Sequence, residues 1–284
     1  MAIPFTKAAA FAIAHGGGAA LERSRQGDTM ANVLMIRTRT QPREHIVKAA
    51  PIMAPLGLLS LASFARRRRP EKDRFMLIDE RVCLPDRDEY EQAISSFCPD
   101  LFAISSMSLE RDRFMELASS LKESHPHIPI VCGGPLPSSV GTKIFALSPV
   151  DFAVRGEGEK PFVRLLEALE TGKLEELEKI PGLSFRRPGG EVADGGRNTD
   201  FLAPEEFPLP AWDLVDPHDY PAGSCRMTPT PVPEPYAPIV TSRGCPYSCI
   251  YCHNIFGKKF RPKSPEQVLE EMEYLVNNHN IRSF

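Results

Sequence analysis

The sequence predicts an α/β protein: a doubly wound parallel sheet of five strands, followed by the first β/α elements of a second domain. Two observations support this expectation. From Met30 onward, short apolar runs alternate with amphipathic segments of helical period, a pattern typical of βαβ units. After residue 236, another predicted strand is followed by a cysteine-rich loop and a further amphipathic helix.

Size and composition indicate a globular protein of one large or two ordinary domains. The chain has 284 residues, 25% of them charged, and a net charge of −3, which gives no sign of a nucleic-acid-binding surface. No apolar run approaches the ~20 residues that span a bilayer. Seven cysteines do not resemble a disulfide framework, and residues 1–29 carry no convincing signal peptide. We therefore expect a cytoplasmic protein with an N-terminal extension at 1–29.

The first domain is expected to span residues 30–172. Its strands read as short apolar runs, and its helices as amphipathic segments between them. Right-handed connections would place helices on both faces of the sheet. The predicted strands are 32–37, 75–79, 101–105, 128–132 and 152–154, and the predicted helices are 55–68, 90–97, 111–124 and 161–170.

The carboxyl ends of these strands are polar or rich in glycine. In open parallel sheets ligands bind at this edge, and glycines let a ligand approach the backbone closely. The pattern favours a pocket for a large, flat or nucleotide-like ligand, although ordinary turns between strand and helix would give a similar composition. The strand ends are Arg37-Thr38, Asp79, Ser105-Ser106, Gly133-Gly134 and Gly156–Glu159.

A proline-rich linker is expected at 173–235, with a small hairpin whose first strand is 182–187 and with Trp212 packing the linker onto a domain. The second domain is expected at 236–284, with a strand at 239–242. Ser264 and Gln267 predict a capping box at the start of its helix. A strand, a helix and the start of a strand at 281–284 cannot bury their own apolar faces, so we expect this domain to be incomplete here.

Three cysteines follow the predicted strand 239–242 with the spacing C-x3-C-x2-C. Thiolates are soft ligands that suit iron–sulfur clusters or zinc. A zinc site would need His253, which is adjacent to Cys252 in sequence, and a c-type haem would leave Cys245 unexplained. Three buried core cysteines are a further alternative, but Gly244 and Pro246 are not typical of a core. A cluster on three thiolates would leave one iron open to substrate.

The segment 242–252, Ser-Arg-Gly-Cys-Pro-Tyr-Ser-Cys-Ile-Tyr-Cys, resembles the signature of the radical S-adenosylmethionine (SAM) superfamily. Earlier motifs resemble the subgroup of that superfamily with a cobalamin (B12)-binding domain. The resemblance implies a Rossmann-like B12-binding fold over 30–172 and a partial TIM-type radical SAM barrel from 236. The earlier motifs begin at Pro55, Pro99, Gly133, Gly156 and Pro208.

This resemblance implies the cofactors and their sites. Cys245, Cys249 and Cys252 would hold a [4Fe-4S] cluster whose open iron binds SAM, with Tyr251 beside the SAM. Cleavage of SAM would give a 5′-deoxyadenosyl radical, for methylation or another radical modification at an unactivated carbon. The candidate cobalamin-binding residues are Ser105, Ser106, Gly133, Gly134, Gly156, Glu157, Gly158 and Glu159.

The sequence departs from the family in two respects. It has no Asp-x-His-x-x-Gly motif, since Glu80 and Arg81 follow Asp79, so bound cobalamin would have no protein imidazole below its cobalt. The later SAM-binding motifs are absent from this chain. The resemblance also implies a small-molecule or natural-product-like substrate of unknown identity, and an electron donor such as flavodoxin or ferredoxin.

Two other functions stay open. A radical SAM methylthiotransferase would carry additional cluster cysteines in its first domain, whereas Cys83, Cys98 and Cys132 are interpreted as core residues. Iron content separates these alternatives, because one [4Fe-4S] cluster gives about four irons per chain and two give about eight. If the chain naturally ends at 284, a non-catalytic cobalamin-binding module is the second alternative.

Overall fold

The computed structural model describes residues 31–40, 53–220, 233, 235–252 and 255–284. The predicted extension at 1–29, much of the carboxyl-terminal part of the predicted linker, and His253 lie outside the described residues. Within the described ranges, seven strands form one sheet in the order β2-β1-β3-β4-β5-β6-β7. The strands are β1 (Ala31–Arg37), β2 (Asp73–Asp79), β3 (Leu101–Ser105), β4 (Ile130–Gly133), β5 (Phe152–Val154), β6 (Leu183–Arg186) and β7 (Val192–Asp194).

The first five strands are parallel, which confirms the predicted doubly wound sheet. Strand order reverses at β1, since β2 lies on one side of it and β3 on the other. Such a reversal opens a crevice at the carboxyl ends of the two flanking strands. The sheet therefore has its topological switch point between β1 and β3.

Strand β1 is buried on both faces because its side chains alternate between two cores. Val33 and Met35 belong to one core, and Leu34 and Ile36 belong to the other. The first core is covered by helices α1 (Leu56–Arg68) and α6 (Glu159–Thr171). The second core is covered by α2 (Arg87–Phe97), α3 (Arg111–Ser124), α4 (Pro135–Val140) and α5 (Ile144–Leu147).

Helix boundaries follow local capping chemistry. Helix α2 begins three residues before the predicted start because Asp86 caps it and Glu89 completes a capping box. Helix α3 has the predicted bounds, and it buries the predicted apolar face of Phe114, Leu117, Ala118 and Leu121. The short helices α4 and α5 were not predicted, because they are too brief to show a helical period.

The hairpin expected inside the linker instead extends the sheet. Strand β6 pairs antiparallel with β5, and β7 pairs antiparallel with β6. Leu183 and Phe185 alternate with polar neighbours and enter the first core. The apolar face of this hairpin therefore packs into the same core as the parallel strands. Trp212 is fully buried in a third core with Leu59, Leu275 and Ile281, so it packs the linker as predicted.

The second domain is represented by few paired residues. The strand predicted at 239–242 is wrong in its bounds, because β8 (Ser242–Arg243) pairs antiparallel with β9 (Arg261–Pro262). Tyr236 makes an isolated parallel bridge with Ser283. Helix α7 (Pro265–His279) connects these regions and has the predicted capping box of Ser264 and Gln267. Its predicted apolar face is only partly covered, since Leu269 is 55% exposed.

Candidate cofactor-binding edge and cysteine loop

The carboxyl ends of four strands lie side by side. Arg37 at the end of β1 pairs in register with Asp79 on one side and with Ser105 on the other. Ser105 in turn pairs with Gly133 at the end of β4. The structure thus gathers the predicted strand ends into one row across the switch point.

The open part of this row is at β3 and β4. A side chain added at Gly133 would meet no atom within 4 Å, so the end of β4 faces open space. Gly134 has φ +89°, and an added Cβ would lie 3.0 Å from Ser105 Oγ and 3.1 Å from the Ser106 carbonyl oxygen. Gly134 therefore lets the turn after β4 approach the end of β3. Ser105, Gly133 and Gly134 are each partly exposed at this edge.

A buried polar network supports the end of β3. Thr38 Oγ1 lies 2.9 Å from Glu110 Oε2 and 3.0 Å from Ser106 Oγ. The Met107 amide donates to Glu110 Oε2 at 2.8 Å, and Arg81 Nε donates to Oε1 at 3.1 Å. Glu110 is only 1% exposed, so these contacts compensate for the burial of its carboxylate. The Ser106 hydroxyl is held within the protein.

A second ion pair occupies the ends of β1 and β2. Arg37 Nη1 lies 3.2 Å from Asp79 Oδ2, and both side chains are largely buried. Burial lowers the pKa of Arg37, and the neighbouring Asp79 carboxylate opposes that shift. The Tyr220 hydroxyl donates to the same Asp79 oxygen at 3.0 Å, and the pKa of Tyr220 is raised by burial. This side of the row is therefore filled by protein groups.

The segment 156–159 after β5 faces the second domain. Gly156 has φ +84°, and a Cβ there would lie 3.3 Å from the carbonyl oxygen of Ile255. A Cβ at Gly158 would contact Leu61 at 3.4 Å. Gly156 is therefore explained by its positive φ and its close packing without a ligand, whereas a Cβ at Gly158 would make only an ordinary contact.

The two glutamates of this segment are buried in ion pairs with the second domain. Glu157 Oε2 lies 2.7 Å from Arg261 Nη2, and Glu159 Oε1 lies 2.8 Å from Arg243 Nη1. Burial raises the pKa of Glu159, and the nearby Arg243 opposes this shift. The structure therefore gives the Glu157 and Glu159 carboxylates partners inside the chain. Among the residues expected to bind cobalamin, Ser105, Gly133 and the Gly134 turn lie at the open edge.

The cysteine loop begins at β8 and returns at β9. The Cys245 amide donates to the Gly257 carbonyl at 3.1 Å, which closes the base of the loop, and the Cys252 amide donates to the Cys249 carbonyl at 3.1 Å. Gly244 has φ +82°, and a Cβ there would lie 2.0 Å from the Lys259 carbonyl oxygen. No side chain fits at Gly244, which explains the glycine before Cys245.

None of these three cysteines is in a disulfide, and their thiols are of the ligand type that suits an iron–sulfur cluster. Cys245 is half-buried, while Cys249 and Cys252 are exposed at the tip of the loop. In the described part of the chain, no three His, Cys, Asp or Glu side chains are close enough together to hold a metal ion. The loop thus supplies the ligand types but not a closed ligand geometry. Tyr251, expected beside SAM, is 88% exposed.

The cysteines of the first domain are not grouped. Cys132 is buried in β4, where burial raises the pKa of its thiol. The interpretation of Cys83 and Cys98 as core residues was wrong, because both are exposed at the ends of their elements.

The sequence did not identify the arginines at the base of the cysteine loop. Arg243 lies over the ring of Phe207 at 4.8 Å, and Arg261 lies over that of Phe201 at 5.0 Å. Arg261 is 4% exposed, which is rare for a charged residue without a buried partner. The only available signal was that each arginine flanks the loop in a segment with few acidic residues to pair with it.

Comparison with known proteins finds one matching domain family and several relatives. Residues 45–166 match the family of B12 binding domains. The uncharacterized methyltransferase PH0819 of Pyrococcus horikoshii is 30% identical over 231 residues, which are 80% of this chain and 47% of that protein. The cobalamin-dependent radical SAM methyltransferase TokK of Streptomyces tokunonensis is 30% identical over 183 residues, which are 63% of this chain and 26% of TokK.

A solved structure shows the same fold. The cobalamin-dependent S-adenosylmethionine radical enzyme OxsB, with aqua-cobalamin and S-adenosylmethionine bound, has a TM-score of 0.67 at 22% identity. The match covers 89% of this chain and 33% of OxsB. The chain thus spans about half or less of the length of these three proteins. It carries a B12-binding domain and, as its motifs predict, is similar along most of its length to cobalamin-dependent radical SAM enzymes.

Proposed function

We propose that the chain provides the cobalamin-binding domain and the cluster-binding loop of a cobalamin-dependent radical SAM methyltransferase. The observation that carries this proposal is the position of the cysteine loop. Its return segment approaches Gly156, two residues after the end of strand β5, within the residues 45–166 that match the B12 binding domains. A cluster on the loop and a corrin at the strand ends would therefore belong to one site.

Two surfaces of the chain would bind the cofactors, the cysteine loop and the open edge of the sheet. Cys245, Cys249 and Cys252 would hold three irons of the cluster, and Tyr251 would lie beside SAM. The open edge at Ser105 and Gly133 would accept cobalamin. When bound, the reduced cluster supplies the electron that cleaves SAM to a 5′-deoxyadenosyl radical, and cobalamin supplies a methyl group for an unactivated carbon of the substrate.

The chain's own groups would prepare these surfaces. The Gly134 turn keeps the strand edge free of side chains, and the network around Glu110 keeps Ser106 in place. The ion pairs of Arg37 and Arg81 neutralise the buried carboxylates of Asp79 and Glu110 beside the edge that would accept cobalamin. The proposal of a single cluster also agrees with the separation of Cys83, Cys98 and Cys132.

Anaerobic reconstitution with iron and sulfide tests the cluster assignment. The wild-type chain should take up about four irons with the visible absorbance of an iron–sulfur cluster. Cys249→Ala should lose that absorbance, whereas Cys98→Ala, an exposed cysteine outside the loop, should keep it. Equal iron uptake by Cys249→Ala and the wild-type chain would contradict the assignment. Uptake of about eight irons would favour a methylthiotransferase instead.

Cobalamin binding and methyl transfer need separate measurements. The chain should bind cobalamin in a form whose spectrum shows no histidine below the cobalt, because the Asp-x-His-x-x-Gly motif is absent. For methylation, the full-length protein should transfer a labelled methyl group from SAM to its substrate. Formation of 5′-deoxyadenosine without any methyl transfer would favour another radical modification.

A further inference from the structure

We propose that Glu157, Glu159, Arg243 and Arg261, here called the Glu–Arg cluster, position the cysteine loop on the carboxyl edge of the sheet. The inference rests on the proposed function, because it gives these residues a role in setting the distance between the [4Fe-4S] cluster and cobalamin. They are positioning residues, since none of them belongs to the proposed ligand sets.

The charges of the Glu–Arg cluster are matched across the two parts of the chain. Both glutamates precede or begin helix α6 of the first domain, while the two arginines lie on β8 and β9. Arg261 meets Glu157 with two contacts, Nη2–Oε2 at 2.7 Å and Nη1–Oε1 at 3.3 Å. Arg243 Nη1 lies 2.8 Å from Glu159 Oε1 and 3.5 Å from Glu157 Oε1. Two negative and two positive charges thus lie together, with both glutamates and Arg261 buried and the Arg243 side chain 11% exposed.

Because most of the Glu–Arg cluster is buried, a change in its geometry would lower the stability of the folded chain. Glu157 is 2% exposed, Glu159 is 4% exposed and Arg261 is 4% exposed. Removing one member would leave an unpaired buried charge, which is far more destabilising than losing a surface ion pair. Phe207 lies against both guanidinium groups, at 4.8 Å from Arg243 and 5.6 Å from Arg261. The aromatic ring limits sideways movement of both arginines.

Arg261 also holds the backbone of the returning limb, and Arg243 is itself part of the outgoing limb. Arg261 Nη2 donates to the Phe256 carbonyl at 2.9 Å, inside the returning limb, and Arg261 Nη1 donates to the Leu202 carbonyl of the first domain's linker. Arg243 directly precedes Gly244 and Cys245. A shift of either ion pair would therefore move a limb of the loop.

Two close backbone approaches point to the same docking. The Ile255 carbonyl would lie 3.3 Å from a Cβ at Gly156, and a Cβ at Gly257 would lie 2.8 Å from the Phe201 ring. Glycine at both positions lets the returning limb approach the first domain closely. This contact lies next to the ion pairs, so packing and charge fix the loop at one place.

Arg261→Lys tests the proposal most directly, because lysine keeps the positive charge but cannot make the two-point contact with Glu157. Arg69→Lys is its matched control. Arg69 is equally buried and contacts Asp73 and Glu170, but it pairs at the amino end of the sheet. Both variants should lose global stability, while only Arg261→Lys should loosen the cysteine loop. Glu157→Gln provides a second variant should Arg261→Lys fail to fold.

Amide hydrogen exchange of the iron-free chain is the first readout. In Arg261→Lys or Glu157→Gln, exchange across 244–258 should be at least about tenfold faster than in the wild-type chain. In Arg69→Lys it should be unchanged under conditions where global unfolding is negligible. Equal effects of Arg69→Lys and Arg261→Lys on this segment, or no effect of Arg261→Lys, would overturn the proposal.

The second readout uses the chain loaded with iron and cobalamin. A reduced cluster close to Co(II) speeds the spin relaxation of the cobalt signal, and Arg261→Lys should lose part of this effect at unchanged iron and cobalamin contents. Unchanged relaxation would overturn the positioning role. A wild-type chain that binds no iron would contradict the proposed function instead, and the exchange result would still decide whether the Glu–Arg cluster holds the loop.

Discussion

The Tyr220 hydroxyl donates a hydrogen bond of 3.0 Å to Asp79 Oδ2, although the two residues are 141 positions apart in sequence. Asp79 ends strand β2, and the same oxygen pairs with Arg37 at the end of β1. Tyr220 lies in the third core with Trp212 and Ala237. The contact therefore ties the linker to the edge of the sheet at which cobalamin is proposed to bind.

Tyr220→Phe should destabilise the chain by about 1–2 kcal/mol, because it removes a hydrogen bond to the buried Asp79 carboxylate and leaves Arg37 as the remaining partner of Oδ2. The midpoint of urea-induced unfolding, with its slope unchanged, measures this loss. Tyr247→Phe is the control, since Tyr247 is 73% exposed and its change should stay within about 0.5 kcal/mol. Equal midpoints for both variants would show that the Tyr220–Asp79 contact contributes nothing.

Gly134→Ala should destabilise the chain more than Gly133→Ala, although the two glycines are neighbours. Gly134 has a positive φ, and an added methyl group would press on Ser105 and Ser106, so its replacement should cost about 1–3 kcal/mol. At Gly133 the methyl group meets no atom within 4 Å, and the change should cost less than about 1 kcal/mol. Thermal unfolding of both variants under one condition checks the order. The reverse order would contradict the observed turn.

Gly133→Val should weaken cobalamin binding about tenfold or more, because its side chain would project into the open edge. Spectroscopic titration with cobalamin gives the dissociation constant. Gly189→Val is the control, since Gly189 also has open space around it but lies in the turn between β6 and β7. If Gly133→Val bound cobalamin as tightly as Gly189→Val, the corrin would not lie over the end of β4.

Asp100 should make stability depend on pH. Burial raises the pKa of its carboxyl group to about 6 from a usual value of 3.8, while a hydrogen bond from the Asn32 amide at 2.9 Å opposes the shift. The folded chain then binds more protons than the unfolded chain between these values, so this group's contribution to stability falls as pH rises from about 4 to 6.

Asp100→Asn should remove that dependence. As the pH rises from 4 to 7, the free energy of unfolding of the variant should increase relative to that of the wild-type chain by on the order of 1 kcal/mol. Urea unfolding at several pH values measures the difference. A difference that is the same at every pH would indicate that folding does not raise the pKa of Asp100.

In the described residues, no helix is long and apolar enough to cross a membrane.

The sequence determined the parallel sheet and the residue types of the cysteine loop. Periodicity reports which side chains face a core, and in strands 31–37 and 101–105 nearly every residue is apolar because both faces are covered. The spacing of Cys245, Cys249 and Cys252 needs no tertiary structure to indicate a thiolate site. The capping box at Ser264 is likewise local, so it was predicted correctly.

Only the tertiary structure decided which partners the polar residues have. Glu157 and Glu159 share a glycine-rich turn that resembles a ligand-binding strand end, yet their carboxylates meet Arg261 and Arg243 more than eighty residues later in the chain. The hairpin at 183–194 joined the sheet for a similar reason, because a strand pairs with whichever edge is open in space. Periodicity records burial along a segment, whereas charge pairing and sheet edges depend on distances that arise only when the chain folds.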